Sequence, residues 1–161
     1  MAFRSRTVAL IQLLASKNWS WNRHDFEHTL SSLGWRKSDT VRHRTTYIRE
    51  TWPDADAYYD DHRPEYVEFV IDICEDVDRL GEMEYEDKVD EFYKLFTDCT
   101  QEISEVLGSP AFSDGAAADG FPEDQEAVWL SLWIIPSARL MLQQKHEDRE
   151  LPLRLCVVLA P

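Results

Sequence analysis

The sequence predicts an α+β domain: two N-terminal helices, then an antiparallel sheet of about five strands with a long central helix packed on one face. Three observations carry this. Residues 83–107 keep a helical apolar period over seven turns. Residues 127–159 read as three strands separated by turns. Two short amphipathic stretches precede the first β-branched run. The predicted order is α-α-β-β-α-β-β-β. The 161 residues suffice for one domain, 1–161, with a core of its own. Apolar residues make up 43% and aromatics 12%, which sets the chain apart from disordered sequences despite its charge.

The first helix spans roughly 5–16, with Val8, Ile11, Leu14 and Ala15 on one side and Leu10 beside them. Its basic start, Met1 to Arg6, is followed by an apolar run broken by Gln12, unlike a secretory leader. Ser20 or Asn22 caps a second helix with a stripe of Phe26, Leu30 and Leu33, and Gly34 stands at its C′ position. Residues 44–51 are β-branched and short, a strand. Pro53 to Pro64 is polar and Asp-rich and reads as a loop. From Glu65 to Glu75 the residues alternate. Val67, Phe69, Ile71 and Ile73 share one face; Tyr66, Glu68, Val70, Asp72 and Cys74 share the other. Gly108 and Pro110 end the long helix, and 109–126 reads as a flexible loop. The strands that follow are Ala127–Ile135, Ala138–Lys145 and Leu151–Leu159.

Charge is segregated along the chain. Residues 51–128 hold 24 of the 31 acidic residues and only four Lys or Arg, a net charge of −20. Residues 1–50 are net +5. Such a field disfavours nucleic acid and anionic membrane and favours a basic protein partner. The three cysteines, Cys74, Cys99 and Cys156, each lie in an apolar pattern, as free thiols in a reducing cytoplasm do. No segment is long and apolar enough for a membrane span.

Catalytic signatures are missing: no G-x-S-x-G, no P-loop, no G-x-G-x-x-G, and no cysteine in an electropositive setting. No cofactor is expected. His24-Asp25-Phe26-Glu27-His28 fits H-x-x-E-H, whose histidines share a helix face and could hold zinc in a metal-dependent hydrolase. A third ligand is not identifiable, and the bland reading is a solvated helix face. Asp54, Asp56 and Glu65 echo a calcium loop, but Tyr58 and Tyr59 occupy the positions of a ligand and the turn glycine. The acidic stretch 54–91 is the better candidate, because tyrosines interleave its carboxylates. Tyr58, Tyr59 and Tyr66 would be packing anchors; Asp60, Asp61, Glu68 and Asp72 would pair with a partner's Lys and Arg. A structural or chaperone-like interaction domain using its sheet face or exposed Trp residues instead of charge is the third reading.

Three layout features carry a family resemblance: the helix end Leu30-Ser-Ser-Leu33-Gly34-Trp35, the passage Ile103-Ser-Glu-Val106-Leu107-Gly108-Ser-Pro110, and Trp129 opening the terminal meander. In this layout the chain resembles the small acidic immunity proteins of bacterial polymorphic toxin systems. The resemblance implies a cytoplasmic protein that binds a cognate toxin and blocks its active site.

Overall fold

The computed structural model describes residues 3–161, with side chains from Arg6 onward; Met1 and Ala2 of the basic start lie outside the described residues. Three helices and eight strands follow in the order α1 (Phe3–Ala15), α2 (Arg23–Ser32), β1 (Arg36–Val41), β2 (Arg44–Ile48), β3 (Ala55–Asp60), β4 (Arg63–Cys74), α3 (Glu82–Leu107), β5 (Phe112–Gly115), β6 (Trp129–Ile135), β7 (Ala138–Lys145) and β8 (Leu153–Ala160). The strands form one antiparallel sheet ordered β1-β2-β3-β4-β8-β7-β6-β5. Two four-stranded meanders meet where β4 pairs with β8.

The sheet has eight strands rather than five because segments expected to be loops join it. β3 lies inside the Asp-rich stretch 53–64. Ala55, Ala57 and Tyr59 are buried on alternate positions, and the Asp56 carboxylate is satisfied by the Thr46 hydroxyl. Small alanines spaced by aspartates carry the strand period without a strand-like composition. β5 lies inside 109–126, and β1 is an exposed edge strand with no buried position to betray it.

The α2 terminus forms as its sequence requires. Asn22 caps it, accepting the Asp25 N–H at 3.0 Å. At the other end Trp35 N–H reaches the Leu30 carbonyl and Gly34 N–H the Ser31 carbonyl, a Schellman closure with Gly34 at φ +95°. α1 buries Thr7, Leu10, Ile11 and Leu14; α3 buries Phe92, Phe96, Cys99 and Ile103. Both spacings follow the helical period.

α1, α2 and α3 cover one face of the sheet, where Phe69, Leu140, Leu142, Leu155 and Val157 join their apolar stripes. No tryptophan is exposed: Trp19, Trp35 and Trp133 are buried and the other three half-buried. The expectation of Trp residues offered to solvent is thereby corrected, since rings such as Trp35 pack edge-on to Phe69 inside the core. The opposite face carries a smaller cluster of Leu130, Met141, Cys156, Val158 and Ala160. No helix covers it. Phe112, Phe121 and Ala127 do, brought there by β5 and the segment after it.

Candidate functional site

Strand β4 supplies the polar residues of the second face. Tyr58 and Tyr66 are cross-strand partners whose rings stack at 4.6 Å and 18°. Glu68, two residues on, is only 2% exposed. A buried carboxylate must be paired and hydrogen-bonded. Lys145 Nζ at 2.7 Å and Arg154 Nη1 at 2.7 Å do this from β7 and β8. Arg154 also holds Glu147 through Nη2. The Cys156 thiol lies 3.5 Å from Glu68; burial, then the Glu68 charge, pushes its pKa far up, so it stays a thiol.

The segment after β5 closes over this network. Asp124 makes a bidentate pair with Arg139, and Gln125 accepts from Gln143 at 2.8 Å. The Arg139 hydrogen bonds hold the Asp124 carboxyl below the usual carboxylate range. Between this segment and the sheet lies a depression of about 460 Å³, floored by Tyr58, Tyr66 and Glu68. Its rim is acidic: Glu123, Asp124, Glu126 and Glu147. Against the desolvation that would raise it, its own backbone N–H and then Arg154 and Lys145 hold Glu147 below its ordinary value. Desolvation raises both tyrosines, Tyr66 to about 12 with help from Tyr58, so both hydroxyls keep their protons near neutrality. A groove of about 760 Å³ adjoins, walled by Phe121, Pro122, Ala127 and Val128 and sharing Lys145 and Glu147 with the depression.

Of the seven residues expected to bind a partner, three converge here: Tyr58, Tyr66 and Glu68. Their roles change. Glu68 already has two internal cations and is no free carboxylate. Tyr59 points to the helix face, buried beneath Phe26 and Arg23, with its hydroxyl 2.9 Å from that of Tyr47; it offers no surface. Asp60 and Asp61 are exposed at the β3–β4 turn, Asp61 with φ 51°. Asp72 is separated from Glu68 by a β-bulge between Val70 and Asp72. The bulge reverses the alternation. Asp72 then pairs with Leu155 on the helix side, and Ile73, expected in the core, pairs with Arg154 and is 42% exposed.

The H-x-x-E-H segment does not assemble a centre. Glu27 is taken by Arg23 at 3.1 Å and by the Tyr47 hydroxyl at 3.3 Å. Among the described residues no three His, Cys, Asp or Glu side chains gather as a metal-binding group.

Lys145, Glu147 and Arg154 went unrecognised in the sequence, as did Gln125 and Gln143. One signal was present: Gln143-Gln144 interrupts an apolar strand on both faces at once, which buried strands avoid unless the amides have a task.

A family model, a family of unknown function (DUF6301), matches residues 5–129, from α1 to the first residue of β6. The chain belongs to the DUF6301 family. The matched region of this family member contains β4, the clamped segment and the acidic rim up to Glu126; Lys145, Glu147 and Arg154 fall beyond it. No curated protein and no solved structure gives a significant match. Among the described residues no helix is long and apolar enough to cross a membrane.

Proposed function

We propose that the protein is a non-catalytic binder of a basic protein partner, acting in the cytoplasm as an immunity protein that occludes a cognate bacterial toxin. The observation that supports this most is the charge balance of the depression over Tyr58 and Tyr66. The two cations that line it are consumed by Glu68 and Glu147, and Arg44 is bonded to the Tyr58 hydroxyl, while Glu123 and Glu126 remain at the rim beside paired Asp124. The surplus is negative, so an incoming Lys or Arg is attracted and a phosphate repelled. The stacked tyrosines give a rigid, amphipathic floor for such a side chain. Asp60 and Asp61 at the turn, and the exposed acids of α3, extend the field and speed encounter.

Affinity capture from the native host at low salt, followed by association kinetics with the captured protein, tests the proposal. The expected partner is basic, and its on-rate falls about tenfold or more as salt is raised past physiological strength. Glu123→Gln with Glu126→Gln slows association without unfolding the chain. An acidic partner, or an on-rate indifferent to salt, overturns the reading.

A further inference from the structure

A third, smaller hollow lies on the helix side of β7, about 320 Å³ in volume, between that strand and the first turns of α3. Val128 and His146 belong to it and to the 760 Å³ groove alike, so the two adjoin. Gln144 lines it and is 1% exposed, yet its Oε1 has no hydrogen-bond partner among the described residues. The Nε2 of His146 is equally buried and equally without one. A buried acceptor left unpaired is costly, so a donor brought to it by a ligand gains. The remaining lining fixes what kind. Val89 and Val128 are apolar, and Glu86 and Asp90 are exposed carboxylates on α3.

Gln144 Oε1 only accepts, so the ligand must donate. The carboxylates beside it favour a donor that is also a cation. His146 Nδ1 lies 3.4 Å from the Tyr85 hydroxyl. In the tautomer whose Nδ1–H faces that oxygen, Nε2 carries the ring's lone pair and is an acceptor like Gln144 Oε1. The flanking cations are Arg149, whose guanidinium already sits over the Tyr85 ring at 4.7 Å, and Lys145, which is held by Glu68. We propose that this hollow receives the head of an arginine or lysine side chain of the basic partner, its aliphatic stem lying between Val89 and Val128 and its backbone in the adjoining groove. The inference rests on the binding function proposed above and adds a specificity pocket to it.

Nuclear magnetic resonance titration with N-acetyl-arginine amide, and with the uncharged citrulline analogue, tests the pocket. Saturable shifts of the Gln144 side-chain amide and the His146 ring are expected, with the citrulline compound at least ~10-fold weaker. Asp90→Asn is exposed and leaves folding intact, and Gln144→Met removes the unpaired acceptor; each weakens arginine binding several-fold. No saturable shift up to ~50 mM arginine amide, or equal binding of the citrulline compound, overturns the pocket. Capture of the basic partner with unchanged affinity by both variants also overturns it, while leaving the binding function standing. Arginine amide binding in a protein that captures no basic partner overturns the partner side chain as occupant and assigns the hollow to a free guanidinium compound.

Discussion

Glu68 joins two halves of the sheet through charge. It sits on β4, and its two cations come from β7 and β8, 77 and 86 residues away in sequence. Removing one member of a buried ionic cluster leaves its partners uncompensated, a loss of about 3 kcal/mol. Glu68→Gln is therefore expected to lower the urea midpoint by that equivalent, and unchanged unfolding would show the cluster to be dispensable. Thiol chemistry separates the cysteines. Cys99 and Cys156 are buried and Cys74 is half-buried, so a thiol reagent is expected to label Cys74 in the native protein and the other two only on unfolding. Native labelling of Cys156 would refute the closed second face. Tyr66 supplies a spectroscopic marker. Its pKa is raised, so its share of stability is present below the ordinary phenol value, near 10. That share is lost as pH climbs through about 12. Ultraviolet titration of Tyr66→Phe should lack the component ionising about there.

The segment joining β5 to β6 acts as the missing layer of the sheet's second face. Phe121 packs edge-on to Phe112 at 5.9 Å, and Arg139 and Gln143 bind its far end. The Asp124 pair gives it a pH dependence with a definite sign. The folded pKa lies below the unfolded one, so the stabilisation is complete above about pH 3.9. It is lost as pH falls through the folded value. Hydrogen exchange is expected to show the amides of 116–127 opening in that acid window before the strands do. Arg139→Gln should make the opening appear at neutral pH. Simultaneous exchange of the segment and the sheet would argue against a separately held layer.

At the scale of the whole molecule the charge has a direction. Basic residues cluster on the β1–β2 hairpin, with Arg36, Lys37, Arg42 and Arg44 exposed at one edge of the sheet. α3, with its exposed acids, packs against β6, β7 and β8, toward the other edge. A net charge of −14 also repels itself, so salt is expected to raise the melting temperature by screening it. A melting temperature that falls with salt would mean that paired charges outweigh the repulsion.

Local periodicity determined much of this protein. The α2 cap at Asn22, its glycine closure, the span of α3 and the limits of β7 follow from interactions within a few residues, and these were legible in the sequence. So was the acidic, tyrosine-bearing character of the β3–β4 region. Strand pairing was not legible. β3 and β5 owe their existence to neighbours supplied from elsewhere, because a strand is completed by hydrogen bonds to other strands. The faces of β4 were legible only as far as Val70, since one bulge moved Asp72 to the opposite side. The site itself is a product of tertiary structure. Tyr58, Tyr66 and Glu68 become a defined surface only when β8 pairs with β4 and brings Arg154, and β7 brings Lys145. The sequence by itself determined that the middle of the chain is acidic and folded. Tertiary structure decided which of those acids are spent internally and which still face outward, because a carboxylate's free charge depends on the cations that folding places beside it.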